Sequence, residues 1–310
     1  MTWISLIGIT LAVFALIATL AVRSGFRSEI VDTILGANAH VTVYQIPATD
    51  DFGRLDRTIH NYADMAHAIA QIEGVNRAAP LIKGQVMASF GGQNAGVQVY
   101  GISASDLLTL PRIAEPEDFV GDIGDFEQGI AIGSGVARIL NVTLDDKIKL
   151  ISPNGVKTAF GTSPRVKSYP ITYVFTAGRY DIDKTRVYMP FADAQDYFNR
   201  EGVADEIEVM VENPDQVERL AEAISSAAGA RAQLWSWKDA SSNFLRALEI
   251  EDDVMFIIMT ILVLIATMNI ISGLIMLVKN KGRDIGILLT MGLTEGSVMR
   301  VFFICGAFTC

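Results

Sequence analysis

The chain has 310 residues, half of them apolar and 19% charged, with a net charge of −10 and a mean hydropathy of +0.34. Its two cysteines, Cys305 and Cys310, both lie in the terminal apolar run, so neither a disulfide framework nor a Cys-based zinc site is available to the rest of the chain. The acidic balance also argues against nucleic acid as a partner.

Trp3 to Val22 is a run of 20 residues without a charge. At about 1.5 Å per residue it is long enough to cross the hydrocarbon core, so residues 1–22 are read as a first transmembrane helix. A cleaved signal peptide would need a basic start and a shorter run, and no Lys or Arg precedes this one.

Residues 23–253, a segment of 231, then fold outside the bilayer around a core of their own. Val41 to Ile46 alternates as a strand and Tyr62 to Ile72 has helical spacing. Lys83 to Phe90 and Val97 to Ile102 read as a hairpin turning at Gly91-Gly92-Gln93-Asn94. Strands follow at 148–151, 171–175, 186–189 and 206–211, with helices at 192–200 and 215–227. The order fits a β-α-β-type open sheet, an open α/β lobe, with an inserted β-rich lobe over about 101–202.

No Pro or Gly occurs between Trp235 and Ser272, so a stalk helix (235–253) is expected to run into a second span at 254–278. Phe244, Leu245, Leu248 and Ile250 lie on that stalk. A cytoplasmic loop (279–299) and the start of a third span (300–310) complete the chain, which reads as a fragment of a longer membrane protein with further spans. The fold class is thus an α-helical membrane protein with a large α+β domain, outside the bilayer, between its first two transmembrane helices.

Charge sets the orientation. Outside 23–253 the ionisable residues are Lys279, Lys281, Arg283 and Arg300 against Asp284 and Glu295, a net of +2 that leaves −12 on the large domain. Basic residues in a short loop stay inside, so 279–299 is cytoplasmic and 23–253 faces the other compartment.

Catalytic motifs are missing from the sequence. There is no phosphate loop of the form G-x-x-x-x-G-K-[ST], no G-x-S-x-G and no H-E-x-x-H, so an energy source must be a partner chain. Gly133-Ser134-Gly135 reads as the turn before a short helix at Val136 to Leu140. His60, Asp64 and His67 share helical spacing but carry no further ligand, and read as solvated surface. No cofactor and no metal are expected.

Two features remain. Ile285, Leu288, Leu289 and Gly292 lie at helical spacing in the cytoplasmic loop, and Gly292 is placed to end a short amphipathic helix, with Thr294 capping the next. Its narrow, glycine-interrupted apolar face suits a partner groove better than lipid. The segment 153–170 carries Lys157, Arg165 and Lys167 without an acid, and its Pro and Gly residues predict a protruding loop between two strands, irregular over most of its length, with a solvated β-hairpin tip as the plainer alternative. Within the second span Asn269 is strongly polar, a helix-packing residue or part of a substrate path.

The segment KNKGRDIGILLTMGLTEGSVMRVFF (279–303) resembles the cytoplasmic loop of the Lol-type (LolC/LolE) permeases of lipoprotein-releasing ABC transporters, relatives of the MacB efflux and FtsX division proteins. FTAGRYDIDKTRVYMPFADAQDYF (175–198), the stalk and second span, and the N-terminal run are similar to the same family. Leu289 stands where relatives often carry a basic residue.

The resemblance implies a non-hydrolytic permease subunit in the bacterial inner membrane. Its partners would be two copies of an ABC ATPase, a second permease subunit, identical or paralogous, a periplasmic lipoprotein carrier and the lipoprotein itself. It implies ATPase coupling through Arg283, Asp284, Ile285, Leu288 and Met291. It further implies carrier docking through a hook bearing Pro153, Lys157, Pro164, Arg165 and Lys167, and a lipoprotein path past Phe244, Leu248 and Asn269. An FtsX-like signalling scaffold and a MacB-like efflux permease remain the alternatives.

Overall fold

The computed structural model describes residues 38–49, 53, 55–116, 118–158 and 161–309, with scattered helical positions before residue 38. The chain divides into two compact units, 30–241 and a second formed by 1–29 with 242–310.

The larger unit holds the strands β1 (Val41–Gln45), β2 (Ala48–Thr49), β3 (Leu55–Asp56), β4 (Val75–Phe90), β5 (Gln93–Ile102), β6 (Asp118–Gly121), β7 (Ile130–Gly133), β8 (Lys147–Thr158), β9 (Gly161–Thr176), β10 (Arg186–Pro190), β11 (Glu206–Val211) and β12 (Ala232–Ser236). Its helices are α1 (Tyr62–Ala70), α2 (Ala104–Leu107), α3 (Pro111–Ala114), α4 (Ser134–Leu140), α5 (Tyr180–Thr185), α6 (Phe191–Phe198), α7 (Val217–Ala228) and α8 (Trp237–Ala240).

Four strands in the order β12-β1-β11-β4 form an open antiparallel sheet that uses the first half of β4. Strand periodicity puts Val41, Val43, Ile207 and Val209 on one face, where all are buried. Helix α1 packs on β4 and on α7, and contributes Met65 and Ile69 to the buried side, while α7 contributes Val217 and Ile224. Each such aliphatic side chain taken fully from water stabilises the lobe by roughly 1.5–3 kcal/mol.

The second half of β4 belongs to a different object. From Ile82 onward β4 pairs with β5, β5 with β10, β10 with β7, β7 with β9, β9 with β8, and β8 returns to β4 at Met87–Ser89. The ring is closed. Two of its pairings, β5 with β10 and β7 with β9, are parallel. Val86, Ala88, Val97, Val99, Ile130, Ile132, Ile148, Leu150, Ile171 and Val187 fill it, an alternating pattern in which every second residue points inward. The ring takes in β5 and half of β4, which precede residue 101, where the inserted β-rich lobe was expected to begin.

Gly84 and Gly101, on the neighbouring strands β4 and β5, form the seat of α6. A Cβ on Gly101 would collide with the Ala194 side chain, and one on Gly84 with the Phe198 ring. Gly133 and Gly135 play the same part under the Asp183 backbone of α5. The glycine pair around Ser134 is therefore a packing device, in keeping with its reading as a turn into a short helix.

The smaller unit contains α9 (Ser242–Thr290) and α10 (Glu295–Thr309). The stalk was expected from 235, but β12 and α8 occupy that stretch and the long helix begins at Ser242. Ser236 caps α8 through a reciprocal bond with Asp239, which ends the strand there. The expected first span, 1–22, lies largely outside the described residues. Among the described residues no helix is long and apolar enough to cross a membrane. The apolar run 254–278 lies within α9, several of whose side chains fall outside the described set.

Replacing Gly101 by Val should destabilise the large domain by ~1–3 kcal/mol, because α6 must lift from its seat. Thermal unfolding of the purified protein checks this; an unchanged midpoint would show that α6 accommodates the side chain.

Candidate functional site

The segment 153–170 is a β-hairpin arm, not the irregular loop its prolines suggested. β8 and β9 pair along most of their length, and the register shifts between Ser152 and Val156. Pro153, Asn154 and Gly155 lie in that shift, and Pro164 lies opposite it, between Ser163, which pairs with Val156, and Arg165, which pairs with Ser152. The prolines sit where a bulge leaves no ladder bond for them to lose. Lys157 pairs with Thr162 in the backbone register, and its side chain lies outside the described set.

Arg165 and Lys167 turn back onto their own domain. The Arg165 guanidinium donates to the carbonyl oxygens of Asp196 and Tyr197, and to Asn199 Oδ1 at 2.5 Å. Lys167 Nζ lies 3.1 Å from Asp196 Oδ2 and 4.0 Å from Asp193 Oδ1. α6 ends at Asn199 in the left-handed conformation, φ +53°, and its last carbonyls need donors that the helix cannot supply. The two basic residues thus hold the arm against the negative end of α6. Pro153 and Pro164 are exposed and line a groove of about 720 Å³ with Met87, Ile151 and Gly96.

The coupling residues are placed differently from the expectation. The stretch 283–291 is not a separate short helix: α9 runs unbroken from Ser242 through Gly282 and Gly286 to Thr290. Gly292 does end it, with φ +94°. Arg283 and Met291 are exposed and Ile285 is half-buried, while the side chains of Asp284 and Leu288 lie outside the described set. On the same helix Phe244 is exposed and Leu248 half-buried, and the Asn269 side chain is likewise undescribed.

The three histidines separate. His40 is buried and accepts the Val211 amide at Nδ1, 3.0 Å away. His60 precedes α1 and pairs with Asp56 at 2.8 Å, so it does not share a helical face with His67. Among the described residues no group of His, Cys, Asp or Glu could hold a metal.

A cluster that the sequence reading did not single out lies on the second face of the open sheet. Glu206 and Glu208 are two apart on β11 and share a face with Arg77 of β4, which sits opposite Met210. Lys83 Nζ is 3.4 Å from Glu206, and Arg77 Nη2 is 3.2 Å from Glu208. Burial pushes the Glu206 carboxyl up, against the pull of Lys83 and a hydrogen bond from Tyr44. Burial works against the Lys83 ammonium, but Glu206 and Tyr100 outweigh it and Lys83 stays charged. Arg186, buried, donates to Asn38 Oδ1 at 3.1 Å and to Tyr100 Oη at 3.3 Å, and stacks 4.4 Å from the Tyr100 ring. The signal in the sequence is a charge at every second residue of an otherwise apolar strand.

Arg165→Ala should therefore loosen the end of α6. Charge-assisted bonds of this kind are worth ~1–2 kcal/mol, whereas the exposed Lys167 pairs are worth less than ~1 kcal/mol. Faster hydrogen exchange at 197–200 in Arg165→Ala, and little change in Lys167→Ala, is the expected result.

A family model of the MacB-like periplasmic core domain matches residues 2–227. The chain is 28% identical to the lipoprotein-releasing system transmembrane protein LolC of Neisseria meningitidis serogroup B, over 99% of this chain and 73% of the relative. It is 26% identical to the corresponding LolE of Haemophilus influenzae, over 96% of this chain and 71% of the relative. Among solved structures, the periplasmic region of MacB from Actinobacillus actinomycetemcomitans aligns with a TM-score of 0.43 at 13% identity, over 70% of this chain and 97% of that one.

Proposed function

Because the chain belongs to the family of the MacB-like periplasmic core domain, we propose that it is the transmembrane subunit of an inner-membrane ABC transporter that releases outer-membrane-directed lipoproteins to a periplasmic carrier. The observation that carries this reading is likeness along nearly the whole chain to proteins named as lipoprotein-releasing transmembrane components.

In this reading the chain hydrolyses nothing. Two copies of a separate ATPase supply the energy, and a second permease subunit, identical or paralogous, completes the assembly. Residues 1–22 and 254–278 span the bacterial inner membrane, a third span starts at 300, and the domain between the first two is periplasmic. Arg283, Asp284, Ile285 and Leu288, on the last turns of α9, and Met291, just past its end, meet the ATPase. Movement there passes along one uninterrupted helix to Phe244 and Leu248 near its other end, and Asn269 lies between them in sequence.

The β8–β9 arm, which carries Lys157, is the carrier-docking element, with the exposed Pro153 and Pro164 available and Arg165 and Lys167 stiffening its base. A pre-ordered arm loses little entropy on docking, which favours binding. The family's MacB-like character supports a second reading, an efflux permease, which the same architecture could serve.

Two experiments test the proposal. With Cys305 and Cys310 replaced by Ser, a membrane-impermeant thiol reagent added from outside should modify Asn94→Cys and spare Lys281→Cys; the reverse pattern overturns the topology. Ile285→Asp should abolish co-purification of the ATPase while the chain still inserts, since truncating or charging an interface anchor costs roughly 1–3 kcal/mol or more. Undiminished ATPase capture would remove this helix from the interface.

A further inference from the structure

A cleft of about 310 Å³ opens on the polar face of the open sheet, lined by Tyr44, Lys83, Tyr100, Arg179, Glu208 and Trp235 among others. Asn38 and Ser241, at the two ends of the domain's described core, stand at its edge. We propose that this cleft binds a phosphate ester carrying a small polar substituent, the headgroup chemistry of phospholipids. Such a site goes beyond lipoprotein release and stands whether or not the chain takes part in it.

The charges favour an anion. Lys83 and Arg179 line the cleft from two different elements, β4 and the turn before α5. Behind the lining, Arg77 is paired with Glu208, Glu206 with Lys83, and Asp181 with Arg179, while Arg186 lies against the Tyr100 ring. Among the side chains that line the cleft itself, Lys83 and Arg179 are cationic and Glu208 is anionic, in a chain where acids outnumber bases by 35 to 25. An anion entering the cleft therefore meets a lining of net positive charge.

The donors suit a phosphate. Arg179 directs Nε and Nη2 to Asp181, at 3.1 and 2.7 Å, and a guanidinium has five N–H groups. Lys83 holds Glu206 by a long 3.4 Å contact, and an ammonium has three N–H groups to share. A phosphate ester has enough terminal oxygens to accept from both groups at once, as a singly bound carboxylate does less well. Glu208, already neutralised by Arg77, can accept from a hydroxyl or an amine on the substituent.

Aromatic walls supply the remainder. Trp235 is 48% exposed although it sits within a strand, next to Thr42 on β1. With Tyr44 and Tyr100 it offers rings with an apolar body and a polar edge, the kind of surface that accepts a glycerol or short alkyl portion. A cleft of this volume lies at the lower end of the range for small-molecule sites, and so suits a headgroup.

The test uses the full chain in dodecyl maltoside, with Trp emission as the readout and Trp235→Phe to assign the signal. Glycerol 3-phosphate and monomeric dihexanoylphosphatidylglycerol are titrated beside inorganic phosphate and an acidic tetrapeptide. A saturable response to the phosphoesters is expected. Arg179→Gln should weaken it by roughly tenfold, the loss of one charge-assisted hydrogen bond, and Asp181→Asn, which frees the guanidinium, should tighten it. Equal affinity for both esters makes the ligand a free phosphoester; a much tighter lipid makes it a lipid headgroup. The proposal is overturned if neither ester saturates, if both variants match the wild type, or if only the peptide binds.

Discussion

Strand β4 has to satisfy two sheets at once. Its first half pairs with β11 in an open sheet whose one face is covered by helices, and its second half is a stave of a closed ring. A strand twists continuously, so the direction in which β4 leaves the open sheet sets the direction in which the ring must start. The two lobes of the domain therefore share one rigid element, and neither can be rotated without bending it. Closure of the ring also removes the free strand edges that an isolated hairpin would expose.

The paired charges of the polar face lie where that shared strand passes from one lobe to the other. Arg77 with Glu208 and Lys83 with Glu206 straddle the change from open sheet to ring. Such pairs are weak stabilisers, because desolvation offsets most of the attraction in the buried Arg77–Glu208 pair and solvent screens the exposed Lys83. Their effect is better seen in the alternatives they forbid. A slip of β11 by one residue would turn Glu206 and Glu208 onto the face occupied by Val41, Val43 and the helices, leaving both carboxylates unpaired in an apolar layer. The pairs thus fix the register on which the geometry of both lobes depends, and the polar face that results is also the floor of the cleft lined by Lys83 and Trp235.

Much of the local structure was legible because it rests on short-range periodicity. β1, α1 and the β4–β5 hairpin follow from alternation, helical spacing and a Gly91-Gly92 turn whose φ values of +54° and +89° glycine adopts freely. What stayed hidden is non-local. The parallel pairings of β5 with β10 and β7 with β9 join segments far apart in sequence, and nothing in either strand names its partner. The arm was misread because proline was taken as a breaker everywhere, when at a bulge it costs no ladder bond. Arg165 and Lys167 looked like a free basic patch because the helix end that needs them, at Asp196 and Tyr197, lies 31 and 32 residues further on.

The stretch 283–291 was misread for a different reason, and the physics favours the continuous helix. Each interior glycine costs ~1 kcal/mol relative to alanine, so Gly282 and Gly286 together cost about 2 kcal/mol. Ending α9 there would leave four carbonyls to be closed by a turn and require a new nucleus for the last turns, a larger penalty than the two glycines impose. Gly292 is the first glycine in the region with a left-handed φ, and only there do the carbonyls find a turn to close them. At ~1.5 Å per residue the resulting helix is roughly 70 Å long. A displacement applied to its last turns is felt along its whole length, so in the transport reading the coupling residues and the stalk are parts of one lever rather than two helices joined by a hinge.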